Sequence, residues 1–360
     1  MVLPVFLRKF DWVLTGLVLA ILSLGLLTFY AMGPEAHGIF VRHLIFIVVG
    51  MLVMFVVANV DYRIFKNYSL PSIILYAVAL ILLGLVLASR EIRGSSAWLQ
   101  LFGFQFEPAE FAKLALLFVL AKYFSQKHIE IYRTYHIVVS GIYVAIPALL
   151  TLLQPDLGSV IVYAALWVAM LLFAGIKRKH MLAIGMLAVA VASLGWFIVL
   201  KPYQKSRIVS FVNPYLDPRG TGYNTIQSRI TFGSGQWLGT YATDRKNTMS
   251  VLVPEPYTDF TFATFAQKFG FAGILMLFGL LSALLMRIGS IGMRANNNFT
   301  KLFSLGFIAI ILTHVVVNGG MNLGILPITG IPFPFLSHGG SHLVTLMAGL
   351  GILQSIRMRT

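Results

Sequence analysis

Apolar runs of about twenty residues alternate with polar connections along almost the whole chain. They lie near residues 12–32, 40–60, 69–89, 107–124, 136–153, 158–175, 181–200, 260–286, 302–323 and 339–356. Roughly 20 consecutive apolar residues cross a bilayer as a helix, so the pattern predicts an all-α polytopic membrane protein with ten transmembrane helices. The first run follows Arg8 and Lys9, exceeds a signal-peptide core in length and lacks a small-x-small cleavage site, so it is expected to stay as an anchor. Most connections are short, as helical bundles prefer. The exception is residues 201–258, between spans seven and eight. It carries Lys201, Lys205, Arg207, Arg219, Arg229, Arg245 and Lys246 among many Phe, Tyr, Trp and Ile. That mixture is too apolar for a disordered linker and predicts a folded, partly membrane-lying cap over a cavity. No internal repeat or low-complexity segment breaks the pattern, and a single transmembrane domain covering 1–360 is expected.

Composition sharpens this reading. The chain is 58% hydrophobic and 11% charged, with a mean hydropathy of +0.85, which excludes an ordinary soluble domain. The net charge of +15 would suit nucleic acid, but the basic residues sit where topology wants them. One set of connections and ends holds Arg8, Lys9, Arg63, Lys66, Lys122, Lys127, Arg133, Lys177, Arg178, Lys179, Arg287, Arg294, Lys301, Arg357 and Arg359. The short connections on the other face hold little beyond Arg42, Arg90 and Arg93. By the positive-inside rule both termini are cytoplasmic and the 201–258 loop is extracellular. The inner cations would meet anionic membrane lipids, and no nucleic acid is needed to explain them. The absence of cysteine excludes disulfides, thiolate metal sites and a cysteine nucleophile.

The acids point to one side. Of twelve, Glu35, Glu91, Glu107, Asp156, Asp217, Asp244, Glu255 and Asp259 fall on or near the outer face, and Glu110 lies about one turn inside the fourth span. Intramembrane ionisable groups mark sites or pathways, so a polar ligand is expected at the outer leaflet.

Each candidate feature has a plain alternative. Glu110 and Lys113, three residues apart on one helix face, form either an internal ion pair or a cation on a wet cavity wall. Trp98 in "GSSAW" is an interfacial anchor or a sugar-stacking platform. Asp156 in "LLQPDLGSV" reads as a helix N-cap. The Pro- and Gly-rich "GILPITGIPFPFLSHGGSHL", residues 324–343, suggests a non-helical segment lining a site, since such backbone survives at membrane depth only when buried or beside a cavity. His338 and His342 have the spacing of two helical metal ligands, but no glutamate motif accompanies them. In "PEPYTDFTF", Thr258 or Asp259 could cap the eighth span. Alternatively, Asp259 could act as a general base toward a hydroxyl. Nearby cations would lower its pKa and desolvation would raise it.

Several stretches together resemble the SEDS family (shape, elongation, division and sporulation). They are "GSSAW", "EPAEFAK", "LLQPDLGSVIV", "NPYLDPRGTGYNTIQSRITFGSG", "PEPYTDFTFA" and "GILPITGIPFPFLSHGGS", in the family's order and covering nearly the whole chain. "LDPRGTGYNTIQSRI" and Thr258-Asp259-Phe260 look more like the RodA branch than the FtsW branch. The resemblance implies a peptidoglycan glycosyltransferase of the bacterial inner membrane, acting on its periplasmic side. It would polymerise lipid II onto a nascent lipid-linked glycan with inversion, releasing undecaprenyl diphosphate. The family's essential acid falls on Asp259, its tryptophan on Trp98, its fourth-span pair on Glu110 and Lys113, and its loop arginine on Arg207. Arg219, Arg229, Glu255 and Ser337 complete the expected substrate-binding set. No cofactor is required, although a divalent cation (Mg or Mn) could accompany the diphosphate. A class B penicillin-binding protein and other elongation-machinery proteins are the implied partners. The chain departs from the family at Gln267 and Lys268, where a glutamate pair is usual, in the loop "GQWLGTYATDRKNTMSVLV", and at His338 and His342, where Tyr and Ser are common. The rival functions are a lipid II flippase and a non-catalytic scaffold.

Overall fold

The computed structural model describes residues 9–88, 98–101, 104–127, 134–198, 202–220, 222–242, 253 and 255–359. Arg8, Arg90, Glu91, Arg93, Arg133, Lys201, Asp244, Arg245 and Lys246 lie outside the described residues. The helices are α1 (Trp12–Ala31), α2 (His37–Asn59), α3 (Arg63–Asn67), α4 (Leu70–Leu87), α5 (Pro108–Lys127), α6 (Thr134–Leu153), α7 (Leu157–Phe173) and α8 (Arg178–Ile198). They continue with α9 (Pro202–Val212), α10 (Tyr223–Ser234), α11 (Gly239–Ala242), α12 (Thr261–Arg294), α13 (Asn298–Leu323) and α14 (Gly340–Arg359). One small addition to the all-helical expectation is an antiparallel hairpin, β1 (Leu99–Leu101) with β2 (Phe104–Phe106), in which Leu99 pairs with Phe106.

Every stretch expected to cross the membrane is helical, and seven helices are long and apolar enough to do so by length and composition. The others differ for a physical reason. α7 is a shorter apolar helix. α5 and α14 carry charged and small polar residues because they run through the centre, where most of their side chains are buried against protein rather than lipid. α14 packs on α2 and α5, while α13 packs on α5, α7 and α12. α8, by contrast, has none of its apolar window buried.

Polar side chains tie the bundle at the end holding the N-terminus of α1. Asp11 Oδ1 caps that helix by accepting from Leu14 N, and its Oδ2 accepts from Arg287 Nε at 2.8 Å. Gln354 of α14 donates to the Asp11 carbonyl and accepts from its N–H, both at 2.9 Å. Three helices therefore meet at one aspartate, two through its carboxylate and one through its backbone, and none of those buried groups is left unpaired.

At the other end, α10, α11 and the turn between them dock on a break in α12. Gly270 adopts φ +65° inside that helix, a conformation that suits glycine. The backbone donors just past the break are taken by the loop after α10: Phe271 N donates to Gln236 O at 2.8 Å and Ala272 N to Trp237 O at 3.0 Å. A freed helix terminus inside a membrane protein survives because another segment supplies its partners.

Candidate active site

The polar stripe of α13 builds the site's support. His314, Asn318 and Asn322 are four apart and therefore share one face, and all three are buried. Asn318 Nδ2 donates to Ile331 O at 2.7 Å and to Asp259 O at 3.0 Å, and Asn322 Nδ2 also donates to Asp259 O at 3.0 Å. Asn322 Oδ1 accepts from Ala263 N at 3.0 Å. These bonds fix the start of α12 against the irregular chain that follows Gly324. That chain is held elsewhere too: Phe333 N donates to Ser337 Oγ at 3.0 Å, and His338 N donates to Tyr257 O at 2.8 Å. The expectation of a buried non-helical segment after α13 matches this geometry, and backbone groups at Ile331, Phe333 and His338 find partners in the segment itself, in α13 and before α12.

Asp259 does not cap α12. Phe260 occupies the N-cap position and no side chain caps the helix. The reason is the double amide grip on the Asp259 carbonyl, which leaves its carboxylate facing a cavity of about 400 Å³. The cavity is lined by Trp98, Gln105, Glu107, Glu255, Thr258 and Asp259, and by His338, Ser341, His342 and backbone at Gly330 and Gly339. The hairpin brings Trp98 and Glu107 into place. Glu107 N donates to Ser341 Oγ at 3.0 Å, and that hydroxyl donates to Gln105 O at 3.2 Å. Glu255 sits at φ +50°, an uncommon left-handed conformation that turns the chain four residues ahead of Asp259. Asp156, set behind this region, caps α7 as its position suggested, accepting from Ser159 N at 3.0 Å.

The electrostatics of Asp259 resolve a competition that the sequence left open. Burial dominates and pushes its carboxyl up to about 6, against the opposing pull of Arg207. Glu255 adds to the rise, and a hydrogen bond from Thr258 lowers it slightly. Burial likewise pushes Glu107 well above the ordinary carboxylate range, with the charge of Glu110 adding to the effect.

Glu110 and Lys113 lie one layer below the cavity wall. Lys113 Nζ donates to Glu110 Oε1 at 2.7 Å and meets His314 Nε2 at 3.3 Å, with both residues of the ion pair buried. Lys113 is therefore an internal partner rather than a wall cation, since its ammonium is held on two sides. Glu110 Oε2 also meets His342 Nδ1 at 2.9 Å. Of the expected cations, Arg207 lies near enough to bias Asp259 and donates to Ile328 O at 3.5 Å. Arg229 donates to Gly324 O at 2.7 Å, closing the end of α13. Arg219 is exposed, and Ser337 is a buried turn staple. Neither these two nor Arg229 line the cavity.

His338 and His342 do not converge on one metal position. His338 packs against the rings of His43 and Phe46, whereas His342 stacks on His314 with centroids 4.4 Å apart. Glu110, His314 and His342 do place three donor atoms within 4.8 Å of one another. Two imidazoles and one carboxylate suit zinc-like ions rather than Mg or Mn, which prefer oxygen. Lys113 already supplies the cation there, so the trio fits the divalent ion expected with a diphosphate poorly.

Residues 5–360 match the family described as a cell cycle protein family, FTSW_RODA_SPOVE. The chain belongs to the FtsW/RodA/SpoVE family. It is 33% identical over 341 residues to peptidoglycan glycosyltransferase MrdB of Escherichia coli K12, covering 94% of this chain and 91% of that protein. It is 32% identical over 369 residues to a probable peptidoglycan glycosyltransferase FtsW of Trichlorobacter lovleyi, covering 98% and 94%. A chain in a solved peptidoglycan synthase complex superposes with a TM-score of 0.83 at 31% identity, covering 97% of each chain. The crystal structure of Thermus thermophilus RodA gives 0.72 at 29% identity, covering 97% of this chain and 96% of that one. The FtsW/RodA/SpoVE match thus spans residues 5–360.

The stripe His314–Asn318–Asn322, with Glu107 and His342, is the part of the site that motif reading did not assemble. The signal was there: three polar residues at helical spacing in an otherwise apolar span call for buried partners.

Proposed function

We propose that this protein is a peptidoglycan glycosyltransferase that polymerises lipid II on the outer face of the bacterial inner membrane, with Asp259 as the general base. The observation that carries the proposal is the Asp259 carboxylate, fixed through its own carbonyl and opening on a cavity lined by Trp98, with Arg207 close enough for its charge to act on it. Asp259 takes the proton from the 4-hydroxyl of the incoming sugar as that oxygen forms a bond to the anomeric carbon. The bond from that carbon to the diphosphate breaks, and undecaprenyl diphosphate leaves with the electron pair. One displacement inverts the anomeric centre and needs no carboxylate nucleophile.

Negative charge develops on the leaving diphosphate, and fixed cations aimed at it lower the barrier. Arg207, whose charge acts on Asp259, would take that role. The buried Glu110–Lys113 pair positions the wall above it. Ten crossings, cytoplasmic termini and an outer 201–258 cap follow from the charge asymmetry described above and would put the cavity on the periplasmic side. The likeness to a chain of a peptidoglycan synthase complex supports a class B penicillin-binding protein as partner.

Lipid II polymerisation by the purified protein with such a partner tests this reading. The expected result is glycan strands from the wild type and a loss of about 10²–10⁴-fold in Asp259→Asn, the range for removing a general base. Undiminished polymerisation by Asp259→Asn would remove Asp259 from the chemistry.

A further inference from the structure

We propose that His342 is a substrate-contacting residue that accepts a hydrogen bond from a hydroxyl or amide N–H of the glycan, with Glu110 as its positioning residue. The proposal rests on the glycosyltransferase reading and adds to it a residue at which this chain carries histidine.

The geometry fixes the ring and its tautomer. Glu110 faces Lys113 Nζ at 2.7 Å, so its carboxylate accepts on both sides. The contact at 2.9 Å therefore places the proton on His342 Nδ1. The neighbouring ring obeys the same logic: Lys113 donates to His314 Nε2, and His314 Nδ1 donates to Pro332 O at 3.2 Å. The stacked pair is consequently rigid. In the neutral tautomer His342 Nε2 carries a lone pair; it is buried and has no hydrogen-bond partner among the described residues, yet His342 is part of the cavity wall. A buried polar atom without a partner is costly, unless a ligand supplies the partner.

The wall chemistry decides which part of the substrate that is. The cavity lining contains three carboxylates, Glu107, Glu255 and Asp259, and neither Lys nor Arg. A neutral imidazole presenting a lone pair repels phosphate oxygens and welcomes O–H and N–H donors. The floor at His342 therefore receives aminosugar, while the diphosphate lies toward Arg207. A carboxylate orienting an imidazole so that its far nitrogen meets the substrate is a recurring device of acyl-transfer enzymes. Here it serves to orient a sugar.

Asparagine and glutamine at this position separate contact from support. The shorter amide of His342→Asn reproduces the Nδ1 donor toward Glu110 and withdraws from the cavity. The longer amide of His342→Gln keeps an acceptor near the Nε2 position and gives up Glu110. With the partner complex, we expect His342→Asn and His342→Ala to raise KM for lipid II about tenfold, the scale of one lost hydrogen bond. Their kcat should stay near wild type, and His342→Gln should remain within about threefold. Binding of fluorescent lipid II to the same complexes, without turnover, should rank the variants identically. Wild-type KM in Asn with impairment in Gln would mean that His342 acts only inside the Glu110 network, and would overturn the proposal. Wild-type KM and binding in all three variants would overturn it as well. A wild-type complex that binds lipid II but makes no glycan would defeat the polymerase reading instead, and the binding order would still decide the role of His342.

Discussion

Burial holds the Asp259 carboxyl near the pH at which a base is useful. A general base with a pKa close to its working pH combines the right protonation state with adequate strength. Asp259 at about 6 meets that condition. The polymerisation kcat/KM should therefore rise with pH through an acid limb centred near 6. Arg207→Ala removes the main opposing charge and should move that limb to higher pH while lowering the rate, which a pH–rate series on both proteins measures. The stability consequence has the opposite sense. Because the folded pKa lies above the ordinary value of 3.8, the ionised form is the less favourable one in the fold. Asp259 therefore contributes least to stability above about pH 6. Asp259→Asn should melt no lower than wild type at pH 7.5 in detergent while losing activity. A lower melting point would indicate that the carboxylate supports the fold.

At the scale of elements, the site is a meeting of three irregular starts and stops: the hairpin before α5, the entry to α12 and the chain after α13. Asn318 and Asn322 hold two of these together. Truncating either to Ala leaves buried carbonyls short of donors, a loss of about 1–3 kcal/mol. The expected outcome is a lower melting point and a reduced kcat, as Asp259 loses its fixed mount. The break at Gly270 makes a second test. A Cβ there would come within 2.4 Å of Gly239 N and 2.6 Å of Trp237 O, at φ +65°. Gly270→Ala should therefore loosen the docking of the α10–α11 segment and destabilise the protein, which limited proteolysis of that segment would report. The apolar runs read directly from the sequence because twenty-residue hydrophobic segments have few alternatives in a bilayer. Asp156 as a cap and the irregular chain after Gly324 were also legible, from local turn chemistry. The cap assigned to Thr258 or Asp259 was not, because the competing hydrogen bonds come from Asn318 and Asn322, some sixty residues away. Nor was the fate of Lys113, which depended on where His314 would stand.

At the scale of the whole molecule, polar and apolar surfaces are inverted relative to a soluble protein. α5 and α14 carry charged and polar groups and run through the middle, while α8 buries none of its apolar window. Such a surface is at home in lipid. The family, its ten apolar runs and its motifs were readable from one sequence because they depend on local pattern. The hydrogen-bonded tie at Asp11 was not readable, since Gln354 lies 343 residues away. Asp11→Ala removes a buried acceptor for Arg287 and should lower the melting point with little effect on KM for lipid II. A large change in KM would show that this end is coupled to the cavity.

The most direct test is a side-by-side assay of lipid II polymerisation and of lipid II translocation in vesicles, for wild type and Asp259→Ala, each with its transpeptidase partner. The expected result is glycan strands from wild type, none above background from the variant, and no protein-dependent translocation by either. Full polymerisation by Asp259→Ala, or robust translocation that survives the substitution, would contradict it.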